Sequence, residues 1–186
     1  TTSDPVWDYF ISPGRSWQGE DGPVASLPLT LIFRATGCSH NGLIRMQYNA
    51  KEVTDTRILV GQETCHFLRA DIWGRGKSVY QPVKVPGSDE IRAAWRNEKQ
   101  NRIPILSLSD FVRDHPTADV ELFRTGLPTD HDLSTFGFYY MGRHYNAGCM
   151  TRHGPYPYCD QMLMTSFSTA KSAYAAIALM AMAQEF

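Results

Sequence analysis

Residues Met164–Met182 read MTSFSTAKSAYAAIALMAM, and this stretch determines how the C-terminal part of the chain is interpreted. The residues that follow Lys171 are small or apolar and include no glycine, proline or charge, which favours a helix over a strand. The sequence therefore predicts a helix that begins near Ser166 or Ser168. Because that helix is apolar on every face, we expect it to be buried inside the protein.

Ser168 and Lys171 are three residues apart, so they lie on the same face of the predicted helix. A serine hydroxyl becomes a good nucleophile when a nearby base takes its proton, and a lysine can be that base if burial brings its pKa toward neutrality. The N–H groups at the helix N-terminus would stabilise an oxyanion. We therefore predict a nucleophile at Ser168 and a general base at Lys171. The alternative is that Ser166 or Ser168 is only a helix cap and that Lys171 is a surface lysine.

The segment MTSFSTAKSAYAAIALM resembles the nucleophile segment of the serine β-lactamase and penicillin-binding-protein superfamily. It is closest to the class C-like esterases, peptidases and amide hydrolases, in which Ser-x-x-Lys-Ser/Thr opens a buried, alanine-rich helix. The preceding residues Phe136–Gly148, FGFYYMGRHYNAG, are similar to the strand and turn that come before this motif. The resemblance implies an acyl-enzyme at Ser168, a small-molecule ester or amide substrate such as a β-lactam or peptide, and no metal or organic cofactor.

Two further motifs of that superfamily follow the nucleophile, and this sequence lacks both. They are Tyr-x-Asn or Ser-x-Asn, and Lys-Thr-Gly or a variant, whereas the sequence ends at Phe186. The segment Tyr145-Asn146-Ala147 precedes the nucleophile and does not have the required spacing. We therefore expect a C-terminal remainder, or a second chain, to complete the active site and to cover the apolar helix.

Charge and hydropathy limit the partners that we expect. The 186 residues include 18 Lys+Arg and 19 Asp+Glu, for a net charge of −1, so we expect no basic surface of the kind that binds nucleic acid. The apolar run near the C-terminus is too short to cross a bilayer, and Lys171 interrupts it. We expect neither a nucleic-acid partner nor a membrane span.

The four cysteines indicate the compartment: they are Cys38, Cys65, Cys149 and Cys159. Three disulfide pairings are possible. The last two cysteines bracket a loop rich in proline and glycine, and a disulfide between them would indicate a periplasmic or secreted protein. The first two could then pair with each other. A zinc site that adds His144 and His153 is a weaker alternative, since the spacing is not typical of zinc motifs, and free buried thiols remain open.

The sequence from Ala25 to Val85 is rich in β-branched and aromatic residues. It contains five short runs that predict strands, namely LPLTLIFRA, GLIRMQY, TRILVG, CHFLRADIW and SVYQPVKV. Asn41-Gly42 is a typical hairpin turn. Five strands at this spacing predict an antiparallel sandwich or a small barrel.

The following residues predict two helices and two further strands. The helices are 89–100, capped by Ser88, and 110–114, capped by Ser109; the strands are 119–125 and 136–145, the second with a turn or bulge at Gly142. A metal at Asp130-His131-Asp132 is conceivable, but an exposed loop explains these residues better.

Together these observations predict an α+β protein with three regions. They are a β-rich region at 1–87, a helical connector at 88–116, and the beginning of a β-lactamase-like serine hydrolase domain at 117–186. Two alternatives differ in function. The first is a non-catalytic binding module built on the β-rich region, and the second is a penicillin-binding transpeptidase or sensor with slow deacylation.

Overall fold

The fold is mixed α+β, and its first sheet is antiparallel and has six strands. The computed structural model describes residues 3–65, 68–81, 83–124, 133–169 and 171–185. The strands are β1 (Trp7–Ile11), β2 (Arg15–Gly19), β3 (Gly22–Phe33), β4 (Cys38–Tyr48), β5 (Val53–Glu63) and β6 (Ile72–Gly76). Their order is β1-β3-β4-β5-β6, and β2 extends the β1 edge by pairing with the start of β3.

One face of this sheet carries a compact apolar cluster. Leu29, Leu31 and Val60 are buried there, and Trp7 packs against them. Alternation along β3 and β4 places these apolar side chains on one face and Ser39 and other polar side chains on the opposite face. The predicted β-rich region is therefore a single sheet with two different faces.

The predicted hairpin turn at Asn41-Gly42 is wrong, because both residues lie inside β4. A Cβ at position 42 would lie 2.2 Å from the carbonyl oxygen of Leu59, so glycine permits the close approach of β5 at an irregularity in the pairing. The turn between β3 and β4 is instead closed at Gly37, whose φ of 73° favours glycine.

The predicted strands at 65–73 and 78–85 are also largely wrong. Among the described residues of 65–85 the structure has one strand, β6, and those of 77–85 form none. By contrast, the aromatic segment near the N-terminus forms two strands that the sequence did not predict. Trp7 and Trp17 lie in these strands, β1 and β2, and both strands pair with β3.

The second half of the chain forms helices and a smaller sheet. It contains α1 (Ser88–Asn101), β7 (Ile105–Ser107), α2 (Leu108–Asp114), a 3-10 helix (Val120–Arg124), β8 (Thr135–Tyr140), β9 (Arg143–Thr151), β10 (Gly154–Pro155) and a 3-10 helix (Cys159–Gln161). β9 pairs antiparallel with β8 and β10, and parallel with β7. Phe111 of α2 packs on this sheet, with its ring centroid 4.9 Å from that of Tyr145.

Several local predictions in this half need correction. Ser107 caps α2, rather than Ser109, because its hydroxyl accepts from the Asp110 N–H in a reciprocal capping box. Gly87, in the left-handed region, precedes α1, and Ser88 is already helical. The strand predicted at 119–125 is a 3-10 helix over Val120–Arg124. Asp130-His131-Asp132 lies outside the described residues.

Of the two alternatives predicted at Gly142, a turn or a bulge, the structure has the turn, which divides the predicted strand into a hairpin. β8 and β9 are joined by a tight turn in which Met141 and Gly142 have φ values of 45° and 80°. Positive φ at both central residues is typical of the two-residue hairpin turn whose twist matches that of antiparallel strands.

The segment after β9 packs on the first sheet. The Tyr156 hydroxyl donates to the carbonyl of Gly42 at 2.9 Å, and the Tyr158 hydroxyl donates to the carbonyl of Ser26 at 2.8 Å. Burial raises the pKa of Tyr156 far above its ordinary value, so this phenol stays protonated and able to donate. In the described part of the chain no helix is long and apolar enough to cross a lipid bilayer.

Candidate active site

The segment that leads into the Ser-x-x-Lys sequence is fixed to strand β4 by its main chain. The Leu163 N–H donates to Asn41 Oδ1 at 3.1 Å, and the Leu163 carbonyl accepts from Asn41 Nδ2 at 2.8 Å. The Ser39 hydroxyl donates to the same carbonyl at 2.7 Å. One buried asparagine thus satisfies both polar groups of one peptide residue, as a neighbouring strand would.

Asn41 belongs to a buried polar network across three strands of the first sheet. Its Oδ1 also accepts from the Thr30 hydroxyl at 2.7 Å, and its Nδ2 also donates to Gln62 Oε1 at 2.6 Å. An asparagine side chain has two donor hydrogens and two acceptor lone pairs, and all four are used. Two residues further along, the Thr165 hydroxyl donates to the Gly37 carbonyl at 2.7 Å. The chain segment that leads to Ser168 is therefore hydrogen-bonded to the first half of the chain at two residues, Leu163 and Thr165.

Ser168 and Lys171 meet as the sequence predicts. Ser168 lies in a turn, and the Lys171 N–H donates to its carbonyl at 3.0 Å. The Lys171 Nζ donates to the Ser168 Oγ at 3.4 Å. A π-helix over Lys171–Ala176 follows and continues as α3 (Ile177–Glu185). Short π-helical turns are rare and occur frequently at functional sites.

The expectation that this helix is buried is wrong for the part of the chain that the structure describes. No residue of the π-helix or of α3 is buried. Large side chains on the different faces of this helix are more than half exposed, at 76% for Tyr174, 61% for Ile177 and 68% for Leu179. Ser168 and Lys171 are exposed as well. The physical reason is that no described element packs over the helix.

Both disulfide pairs are present. Cys149 and Cys159 have Cα atoms 5.3 Å apart, and Cys38 and Cys65 have Cα atoms 5.6 Å apart. The zinc alternative is wrong, because the two cysteines it requires are joined to each other. Among the described residues, no group of three His, Cys, Asp or Glu side chains is placed to hold a metal ion.

The described residues form two cavities, of which the second borders the segment that leads to Ser168. The first, of about 540 Å³, has the charged residues Glu63, Asp71, Arg69 and Arg152 among those that line it. Arg152 binds both carboxylates, at 2.6 Å and 2.8 Å, and thereby holds the pKa of Asp71 below its usual range. The charged side chains that line this cavity are two carboxylates and two guanidinium groups, so they carry no net charge.

The second cavity, of about 1090 Å³, lies between β7, the β8–β9 hairpin, and the chain around Met162 and Met164. Neither cavity has Ser168 or Lys171 among its described lining residues.

The residue that sequence reasoning missed is Asn41. An Asn-Gly pair strongly predicts a turn, and this preference conflicts with the place of Asn41 inside a buried strand. No local signal in the sequence marks this role, because the Leu163 main chain that Asn41 binds lies 122 residues away.

Comparison with protein-family models, with curated proteins and with solved structures finds no match. Function must therefore be argued from the geometry of this site.

Proposed function

We propose that the chain carries the nucleophile and general base of a serine hydrolase of the β-lactamase and penicillin-binding-protein type. The observation that carries this proposal is the 3.4 Å hydrogen bond from Lys171 Nζ to Ser168 Oγ at the start of a helical segment. Nucleophile and base within hydrogen-bond reach form the arrangement that activates a serine.

The proposed reaction has two stages. A neutral Lys171 amine takes the Ser168 hydroxyl proton as Oγ attacks the carbonyl carbon of an ester or amide, and the lysine passes that proton to the departing alcohol or amine. Water then attacks the acyl-serine and releases the acid. The Ser168 N–H is one donor to the oxyanion, and the second donor would come from the part that covers the helix.

The exposed helix supports a further element of the proposal, namely that a C-terminal segment or a second chain completes the site. An apolar helix exposed on all sides is unstable in water and needs a covering surface. The same cover would remove water from the Lys171 amine, which favours its neutral form.

Two other functions remain candidates. Exposure of both Ser168 and Lys171 favours the non-catalytic binding module, in which the serine only caps a turn. A penicillin-binding transpeptidase or sensor would share the acyl-serine and differ in its slow deacylation. The two disulfides support a periplasmic or secreted location for each of these functions.

Labelling of the native protein with a fluorophosphonate, with the proposed covering segment or chain retained, followed by peptide mass spectrometry, tests the proposal. We expect an adduct on Ser168 that disappears in Ser168→Ala and in Lys171→Met and persists in Ser172→Ala, the matched control in the same segment. An adduct on another serine, or equal labelling of Lys171→Met, would refute the assignment. The lifetime of a β-lactam adduct then separates a hydrolase from a transpeptidase or sensor.

A further inference from the structure

Four arginines lie in one row across the first sheet. Cross-strand pairing places Arg15 opposite Ser26, Ser26 opposite Arg45, Arg45 opposite Arg57, and Arg57 opposite Arg75. Directly opposed residues of antiparallel strands project from the same face. The row crosses five strands, from β2 to β6, so it is about 19 Å long at the usual spacing of about 4.8 Å between strands.

Such a row is unfavourable unless something binds it. Like charges directly opposite each other destabilise a sheet. Within the described chain one carboxylate offsets the row, that of Asp55, which lies 2.5 Å from Arg57. Arg45 and Arg75 are exposed and form no ion pair with a described residue. The row therefore presents about three uncompensated positive charges in a line.

Aromatic side chains border the row on the same face. Trp17 and Trp73 are each two residues from an arginine of the row, on opposite sides of it and at opposite edges of the sheet. They are 45% and 78% exposed. At the β2 end, the guanidinium of Arg15 lies 5.6 Å from the ring centroid of Tyr158. Tyr158 itself is buried, so the exposed flat aromatic surfaces that accompany the guanidinium groups on this face are those of Trp17 and Trp73.

We propose that this face binds an acidic polysaccharide, a chain of sugars that carry carboxylate or sulfate groups. Guanidinium groups bind such anions through charge-assisted, often bidentate hydrogen bonds. Exposed tryptophans offer flat apolar surfaces on which sugar rings can stack. The linear arrangement fits an extended polymer with regularly repeated charges better than it fits a single small anion. This binding site does not depend on the proposed catalytic role of Ser168.

Single-stranded nucleic acid also combines repeated anions with flat rings, and two observations favour the polysaccharide over it. Two disulfides are typical of an oxidising compartment outside the cytosol. The chain as a whole has a net charge of −1, whereas nucleic-acid-binding domains are usually strongly basic.

The test measures the affinity of the full chain for alginate, a polyuronate, through tryptophan fluorescence. Dextran is the uncharged comparison and oligothymidylate is the nucleic-acid comparison. The test variant is Arg45→Gln/Arg75→Gln, and the control is Arg92→Gln/Arg96→Gln, which removes the same charge from the exposed surface of α1. Thermal unfolding of each variant shows whether the fold is retained.

We expect alginate binding that weakens with added salt and no binding of dextran. The test variant should weaken binding by about a hundredfold, since it removes two guanidinium groups and each hydrogen bond to a charged group contributes about one factor of ten. The control should leave it nearly unchanged. The test variant should melt no lower than the parent protein, because it relieves repulsion.

Three results would overturn the proposal. One is no alginate binding at low salt, and another is equal affinity of the test and control variants. The third is tighter binding of oligothymidylate than of alginate, which would assign the row to nucleic acid.

Discussion

Replacing Asn41 with alanine tests the connection between the first sheet and the Ser168 segment. The substitution removes four hydrogen bonds at once: two with the main chain of Leu163, and one each with Thr30 and Gln62. At about 1 kcal/mol of net contribution per bond, the expected loss in the free energy of unfolding is about 4 kcal/mol. That is a large fraction of the 5–15 kcal/mol, roughly, that stabilises an ordinary domain.

Urea unfolding of Asn41→Ala and of the parent protein measures this loss. Asn101→Ala is the matched control, because Asn101 is exposed on α1 and its side chain bonds only within that helix, to Asn97. The control should change the free energy of unfolding by less than about 0.5 kcal/mol. Hydrogen exchange gives a second measure, since the Leu163 amide should lose protection in Asn41→Ala and keep it in the control.

A loss of less than about 1 kcal/mol in the free energy of unfolding for Asn41→Ala would refute the reasoning, because removal of a buried amide that makes four hydrogen bonds should cost more than that. Unchanged protection of the Leu163 amide would show that this amide is held by something other than Asn41.

Three further predictions concern other parts of the chain. Replacing Cys149 and Cys159 with serine should lower the free energy of unfolding by about 3 kcal/mol, from the loop entropy of a 10-residue separation, measured by urea unfolding. Burial lowers the pKa of His40, because the folded protein favours the neutral imidazole. The stability that depends on neutral His40 is therefore fully present above the unfolded pKa of about 6.5 and is lost as pH falls below it. His40→Leu should flatten this decrease in the free energy of unfolding, measured by urea unfolding at several pH values. Arg152→Met should raise the pKa of Asp71 toward its ordinary range, as followed by NMR titration, and should destabilise the fold by about 1 kcal/mol or less, because the pair is partly exposed; that difference shrinks as Asp71 is protonated at low pH.

Local sequence patterns predicted the parts of the fold that are determined locally. The apolar and β-branched runs gave the bodies of β3, β4 and β5, and the Gly142 hairpin followed from its turn residues. Asn41-Gly42 failed because a long-range requirement overrode a strong turn preference: Gly42 is needed where β5 approaches, and Asn41 is needed by Leu163, 122 residues away. Such requirements leave no periodic signal in the sequence.

For the candidate site, too, the sequence predicted the local contact and not the surroundings. Ser168 and Lys171 lie three residues apart, so their meeting is a local property of a turn or helix, and the structure has it. Burial of the helix that follows depends on whatever packs against it, which is not a local property. The pattern therefore identified the pair and could not provide its environment.

The arginine row and the anchor of the Ser168 segment lie on the same face of strand β4. Asn41 and Arg45 are four residues apart, so about 13 Å separates them along the strand. The two proposals can nevertheless fail separately, because an uncharged fluorophosphonate needs no arginine. Arg45→Gln/Arg75→Gln should therefore keep Ser168 labelling at the parent rate while it loses alginate binding. If the variant lost Ser168 labelling together with alginate binding, the arginine row would also be needed to position the Ser168 segment, and the two proposals would not be independent.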